Sequence, residues 1–165
     1  MVKKFKFSII IPFKKPTPYL YECLGNIMKQ TFKNYEVILL PDKKEKFTDP
    51  KIKIIPTGQI GPAEKRDIGV EKAKGEILAF IDDDAYPDKD WLSNAISYFQ
   101  NPDISAVCGP GVTPDNDSIS QKAGGYVNSL WFGSGGAGTY RFIPRRKRYI
   151  DDFPSMNFIV RKTDF

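Results

Sequence analysis

Apolar residues in this chain gather into short unbroken runs separated by helical stripes. The segments SIIIP (8–12), EVILL (36–40) and ILAFI (77–81) show almost no polar alternation, as expected of strands buried on both faces of a parallel sheet. The first strand is predicted over 5–12, ended by Pro12. The second covers 36–40 and stops at Pro41-Asp42, and a short third covers 51–55. The fourth covers 77–81 and ends abruptly in Asp82, Asp83 and Asp84. A fifth covers 104–108, closed by Gly109-Pro110-Gly111, and a last strand covers 156–160.

Helical periodicity fills the gaps. Leu20, Cys23, Leu24, Ile27 and Met28 recur at i, i+3, i+4, i+7 and i+8, a core-facing stripe on a helix over 19–30 that Pro16 and Pro18 introduce. Gly61-Pro62 opens a second helix over 63–74, with Gly75 as its stop. Pro87-Asp88 starts a third, reaching 100, whose Leu92, Ala95, Ile96 and Phe99 face the core. Strands alternating with amphipathic helices predict an α/β fold, a mostly parallel sheet flanked by helices in a single domain. Beyond Gly111 the pattern changes. A helix over 118–132 is expected to break at Gly124-Gly125, residues 133–138 are too glycine-rich for a stable element, and Thr163-Asp164 reads as a helix N-cap.

Composition narrows the chemistry. The 165 residues are 41% hydrophobic and 27% charged, enough for one core. Histidine is absent, which removes His-based triads, His general bases and His-ligated zinc. Cys23 and Cys108 form no CxxC pair and are expected as buried reduced thiols, with a disulfide between them left open. The net charge of +5 favours anionic partners. It is concentrated in Lys3, Lys4 and Lys6 at the start and in Arg145, Arg146, Lys147 and Arg148 near the end. The apolar run in MVKKFKFSIIIPF is too short for a signal peptide, and no segment approaches membrane-spanning length. A cytoplasmic protein is expected, with peripheral contact at the inner face of a membrane through the second basic run.

Three constellations carry candidate chemistry. Ligands of open α/β sheets bind beyond the carboxyl ends of the strands, where Asp82, Asp83 and Asp84 stand. Adjacent carboxylates repel unless a cation or donors hold them, and hard divalent ions favour oxygen ligands. If the strand stays extended, Asp82 and Asp84 share a side, so that one meets a metal and the other a sugar hydroxyl. In GPAEKRDIG (61–69), Lys65 and Arg66 lie in the first turns of a helix that presents Arg66 to a diphosphate, with Asp67 holding a side chain or hydroxyl in place. Pro12-Phe13 and Asp42 follow two further strands and would line a nucleotide crevice, Asp42 accepting from a base imide or a ribose hydroxyl.

Taken in order, SIIIPF, EVILLPD, GPAEKRDIG, KGEILAFIDDDAYPDKDWL and FPSMNFIVRK resemble a family 2 glycosyltransferase of the GT-A (Rossmann-like) fold, most strongly over 61–92. The resemblance implies inverting transfer of a sugar from a nucleotide-diphospho-sugar donor to a saccharide or lipid-linked acceptor, assisted by Mn2+ or Mg2+. By motif position Pro12 and Asp42 would line the nucleoside pocket and Arg66 the diphosphate. Asp82, Asp83 and Asp84 would form the DXD, with Asp84 foremost as metal ligand, and Asn157 would lie by the donor sugar and acceptor. Residues 1–111 would form the nucleotide-sugar part and 112–165 the start of an incomplete acceptor-side part. The general base is expected beyond Phe165, with Asp151 and Asp152 as weaker candidates; a phosphate acceptor needs none. The chain departs from the family pattern at Pro41-Asp42-Lys43-Lys44, where Asp-Asp-Gly-Ser is usual, and at Lys65-Arg66-Asp67, where Ala-Arg-Asn is usual. Two other readings compete. A nucleotidyltransferase would want a Gly-rich loop after the first strand, and 13–16 holds no glycine. A basic nucleic-acid-binding module would want a periodic basic face, which is missing, so no nucleic acid partner is expected.

Overall fold

A computed structural model of the chain describes residues 6–165; Lys3, Lys4 and Phe5 of the readings above lie outside them. The apolar runs become β1 (Phe7–Pro12), β2 (Tyr35–Leu40) and β4 (Ile77–Ile81), every residue of which is buried. The shorter β3 (Ile52–Ile54) and β5 (Ala106–Cys108) are half-buried or more exposed, and β6 (Asn157–Arg161) closes the set. One six-stranded sheet results, in the order β3-β2-β1-β4-β6-β5. Strands β1 to β4 pair in parallel, whereas β6 runs antiparallel to both β4 and β5. The residues after 111 therefore supply an interior strand of the sheet.

Strand alternation sorts the core into two layers. Ile9 and Ile11, with Ile77, Ala79 and Ile81, face α1 (Pro18–Met28) and α3 (Trp91–Tyr98). Ile10, Ile38, Leu78, Phe80 and Val160 face α2 (Pro62–Lys72), from which Ile68 and Val70 pack down. Helix α1 begins where Thr17 Oγ1 accepts from the Leu20 N–H at 3.2 Å, and its stripe of Leu20, Cys23, Leu24 and Ile27 is buried as predicted. Behind β1, Ser8 Oγ donates to Glu36 Oε1 at 2.7 Å and accepts from the Gly75 N–H at 2.8 Å. This buried network locks the α2–β4 connection against the strands.

Several expectations are corrected. Helix α3 starts at Trp91, because Gln30 Nε2 donates to the Asp88 carbonyl at 2.6 Å and the Thr31 N–H to the Lys89 carbonyl at 2.9 Å, which holds 87–90 out of a helix. Helix α4 (Ile119–Ser129) runs straight through Gly124-Gly125 and ends at Leu130, whose backbone is extended. Ser118 and Gln121 cap it reciprocally, stabilising its first turn. The glycine-rich stretch holds two single turns, α5 (Trp131–Ser134) and α6 (Gly138–Arg141), joined through Gly135 and Gly136 at φ 59° and 88°. Lys162–Asp164 is a 3-10 turn. Both cysteines are free, Cys23 buried and Cys108 only partly so.

Candidate active site

The carboxyl ends of β1, β2 and β4 meet the first turns of α2, and most of the predicted residues converge there. β1 is the strand from which the chain builds outward in both directions, the topological switch point at which open sheets bind ligands. At the β1–β2 end Lys65 is 2% exposed. Its ammonium donates to the Phe13 carbonyl at 2.6 Å, to the Leu40 carbonyl at 3.3 Å and to Asp42 Oδ1. All three of its N–H donors are used. Asp42 thus sits where the sequence reading put it, half-buried beside Phe13, but with one oxygen committed to Lys65.

At the β4 end, Arg66 Nη2 donates to Asp82 Oδ1 at 2.6 Å, while the buried Arg66 Nε has no hydrogen-bond partner among the described residues. Asp67 is exposed on the outer side of α2. The extended conformation ends at Ile81, and the Ala85 N–H donates back to the Asp82 carbonyl at 3.2 Å, closing a turn. Asp82 and Asp84 therefore do not share a side. Asp82 meets Arg66 on the α2 face, whereas Asp84 is exposed and lines a cavity on the α3 face. Asp83 lies between them. Burial raises its carboxyl pKa, and the charges of Asp84 and Asp82 add to the rise; Lys65 opposes it. Beneath the triplet, burial and then Asp83, Asp84 and Asp82 push the Cys23 thiol up from 9.0 to about 12.

The cavity has a volume of about 950 Å3 and is walled by α3, the end of β5 and residues 145–150. Asn157 lines it because the β4–β6 register sets it directly across from Ile81. Both ends of its amide are engaged: Trp91 Nε1 donates to Oδ1 at 2.8 Å, and Nδ2 donates to the Gly109 carbonyl at 2.9 Å. A Cβ on Gly109 would stand 2.9 Å from that nitrogen, so the close approach requires glycine. Pro12, Phe13, Asp42, Arg66 and Asp82 lie outside this cavity wall. Asp152 accepts from Tyr140 Oη at 2.6 Å and pairs with Arg141, and Asp151 is exposed. Among the described residues no group of three or more His, Cys, Asp or Glu is arranged to hold a metal ion. Sequence reasoning missed two residues here. The pattern places Lys65 only in the first turns of a helix, with no partner of its own, and leaves Trp91 without a role inside the helix predicted from Pro87-Asp88.

Comparison with known proteins decides the family. The model of glycosyl transferase family 2 matches residues 8–161. The chain belongs to this family. The glycosyltransferase GlyG of Streptococcus pneumoniae is 26% identical to this family 2 chain over 113 residues, 62% of this chain and 38% of GlyG. The poly(ribitol-phosphate) β-N-acetylglucosaminyltransferase TarS of Staphylococcus aureus is 29% identical over 106 residues, 56% of this chain and 18% of TarS. This family 2 chain thus spans well under half the length of these relatives. Among solved structures, mannosyltransferase PcManGT of Pyrobaculum calidifontis in complex with GDP-Man and Mn2+ superposes with a TM-score of 0.57 at 24% identity, over 66% of this chain and 36% of that one. TarS 1-349 in complex with UDP-GlcNAc gives 0.57 at 24% identity, over 69% and 37%. The fold of this family 2 chain is GT-A.

Proposed function

We propose that this chain carries the donor site of an inverting glycosyltransferase, which moves a sugar from a nucleoside diphosphate to a saccharide or lipid-linked acceptor. The observation that carries the reading is the divergence of the triplet at the β4 end. Asp82 holds Arg66 on one side while Asp84 opens into the cavity on the other. Arg66 would meet the diphosphate, since a guanidinium offers further donors to phosphate oxygens after one bond to Asp82. Asp42 and Pro12-Phe13 would line the nucleoside pocket, with Lys65 holding the Asp42 carboxylate in place. Asn157, pinned by Trp91 and Gly109, would form the wall beside the donor sugar.

The acidic turn fits Mn2+ or Mg2+. Its donors are hard oxygens, and although burial is the larger cause of the raised Asp83 carboxyl, the charges of Asp84 and Asp82 add to it, a repulsion that a cation would offset. Asp84 would hold the ion on the cavity side, while Asp82, turned to the α2 face, would position Arg66. Such an ion would supply charge neutralisation as the diphosphate departs. That related structures hold GDP-Man with Mn2+ and UDP-GlcNAc supports a nucleotide-sugar donor. The cellular setting that goes with the reading is cytoplasmic, with peripheral membrane contact through the basic run at 145–148.

Thermal unfolding of the chain with UDP-GlcNAc, GDP-Man or a dTDP-sugar, each with Mn2+, tests the donor reading. A ligand at about 100 times its Kd stabilises by about 2.7 kcal/mol, so one nucleotide should raise the Tm by several degrees. A Tm unmoved by all three nucleotides would overturn it.

A further inference from the structure

The chain places Arg145, Arg146, Lys147 and Arg148 on the wall of the same cavity that Asp84 lines. All four side chains are exposed, and three of them make a contact within the protein. Arg145 Nε donates to the Thr139 carbonyl at 2.7 Å. Lys147 Nζ lies 4.6 Å from the centroid of the Tyr98 ring, and the Arg148 guanidinium 4.9 Å from that of Tyr140. Tyr98 and Tyr140 line the cavity themselves. Contacts of this kind brace a cation against a ring face and leave its N–H donors available.

The charge on this wall is not compensated locally. Among the described residues none of the four cations forms an ion pair with a carboxylate. Of the two acids that follow the run, Asp152 is engaged by Arg141 and Tyr140. Four cations against the two carboxylates of Asp84 and Asp88 leave the cavity lining positive. An apolar or neutral saccharide in it would leave that repulsion standing, whereas a phosphate would relieve it through bidentate contacts with Arg.

We infer that this cavity binds the acceptor, and that the acceptor bears phosphate, held by Arg145, Arg146, Lys147 and Arg148. The inference rests on the donor reading above, which puts the diphosphate at Asp84. The phosphate belongs either to a water-soluble phosphodiester or to a lipid-linked one, and both offer the same anionic oxygens to the wall.

The test is equilibrium binding at fixed salt to four probes: a short fluorescent glycerol-phosphate oligomer, mixed phosphatidylglycerol–phosphatidylcholine vesicles, a neutral maltose oligomer and oligo-dT. Each is measured with the chain and with a variant carrying Arg145→Ser, Arg146→Ser, Lys147→Ser and Arg148→Ser. The chain should bind the glycerol-phosphate oligomer or the vesicles, and the variant should bind at least about ten-fold more weakly. Binding of the soluble oligomer alone assigns a water-soluble acceptor, and binding of the vesicles alone a lipid-linked one. Equal binding by chain and variant would overturn the inference. So would a maltose oligomer or oligo-dT bound as tightly as the glycerol-phosphate probe. UDP and GDP titrations on both proteins separate the two readings. If neither protein binds nucleotide while the phosphate probe still depends on the cations, the donor reading falls and the anion site stands. If nucleotide binding is lost with the four cations, they hold the donor, and the acceptor inference is overturned.

Discussion

Lys65 shows what a single residue can hide. In sequence it is one charge among several on a polar helix face; its partners are two main-chain carbonyls and an acid on other elements. No local pattern encodes that. Breaking a buried pair by removing one partner costs about 3–5 kcal/mol. Lys65→Met should lose stability on that scale in urea unfolding, and adding Asp42→Asn should recover part of the loss. A loss under 1 kcal/mol, as for exposed pairs, would mean that the pair is solvated. Cys23 gives a second prediction. Its thiol is pushed from 9.0 to about 12, so the folded state holds a proton that the unfolded state releases. The stabilisation is complete below pH 9 and is lost as pH rises toward 12. Cys23→Ala should flatten that alkaline decline, and iodoacetamide at pH 8 should leave Cys23 unmodified until the chain unfolds, as mass spectrometry would read.

Among the elements, the buried strands were legible because a strand covered on both faces declares itself without reference to its partners. The ends of elements were less so. The start of α3 is set by Gln30 and Thr31 from another part of the chain, and the first turn of α4, which runs on through two glycines, by its cap. Gly125 itself admits Thr113, whose Oγ1 occupies the place of a Cβ. Two glycine substitutions should therefore act in opposite directions. In Gly75→Ala the new Cβ would lie 2.5 Å from the Ser8 nitrogen and 2.6 Å from the Phe7 carbonyl carbon. Backbone atoms there cannot yield, and the cost should reach about 3 kcal/mol or more. Gly124→Ala meets nothing within 4 Å, and a helix interior gains about 0.8–1.0 kcal/mol from the exchange. Chemical denaturation of both variants checks the pair of signs.

At the scale of the whole molecule, alternating strands and helices were enough to predict the α/β class, but not the place or direction of β6. Its own residues read only as a strand; its insertion between β4 and β5, antiparallel to both, depends on what its neighbours leave unpaired. That insertion matters for the site, since it sets Asn157 across from Ile81 and beside the acidic turn. The turn also separates Asp82 from Asp84, a divergence that strand alternation could not foresee. On the function proposed above, Asp84 and a divalent ion together hold a nucleotide-sugar donor. Calorimetric titration of UDP-, GDP- and dTDP-sugars, with Mn2+ or with EDTA, on this chain and on Asp84→Ala, tests it most directly. One nucleotide should bind with Mn2+, and EDTA or Asp84→Ala should each weaken it by at least about ten-fold, or about 1.4 kcal/mol. Binding that is indifferent to both, or no binding to a chain that remains folded, would contradict it.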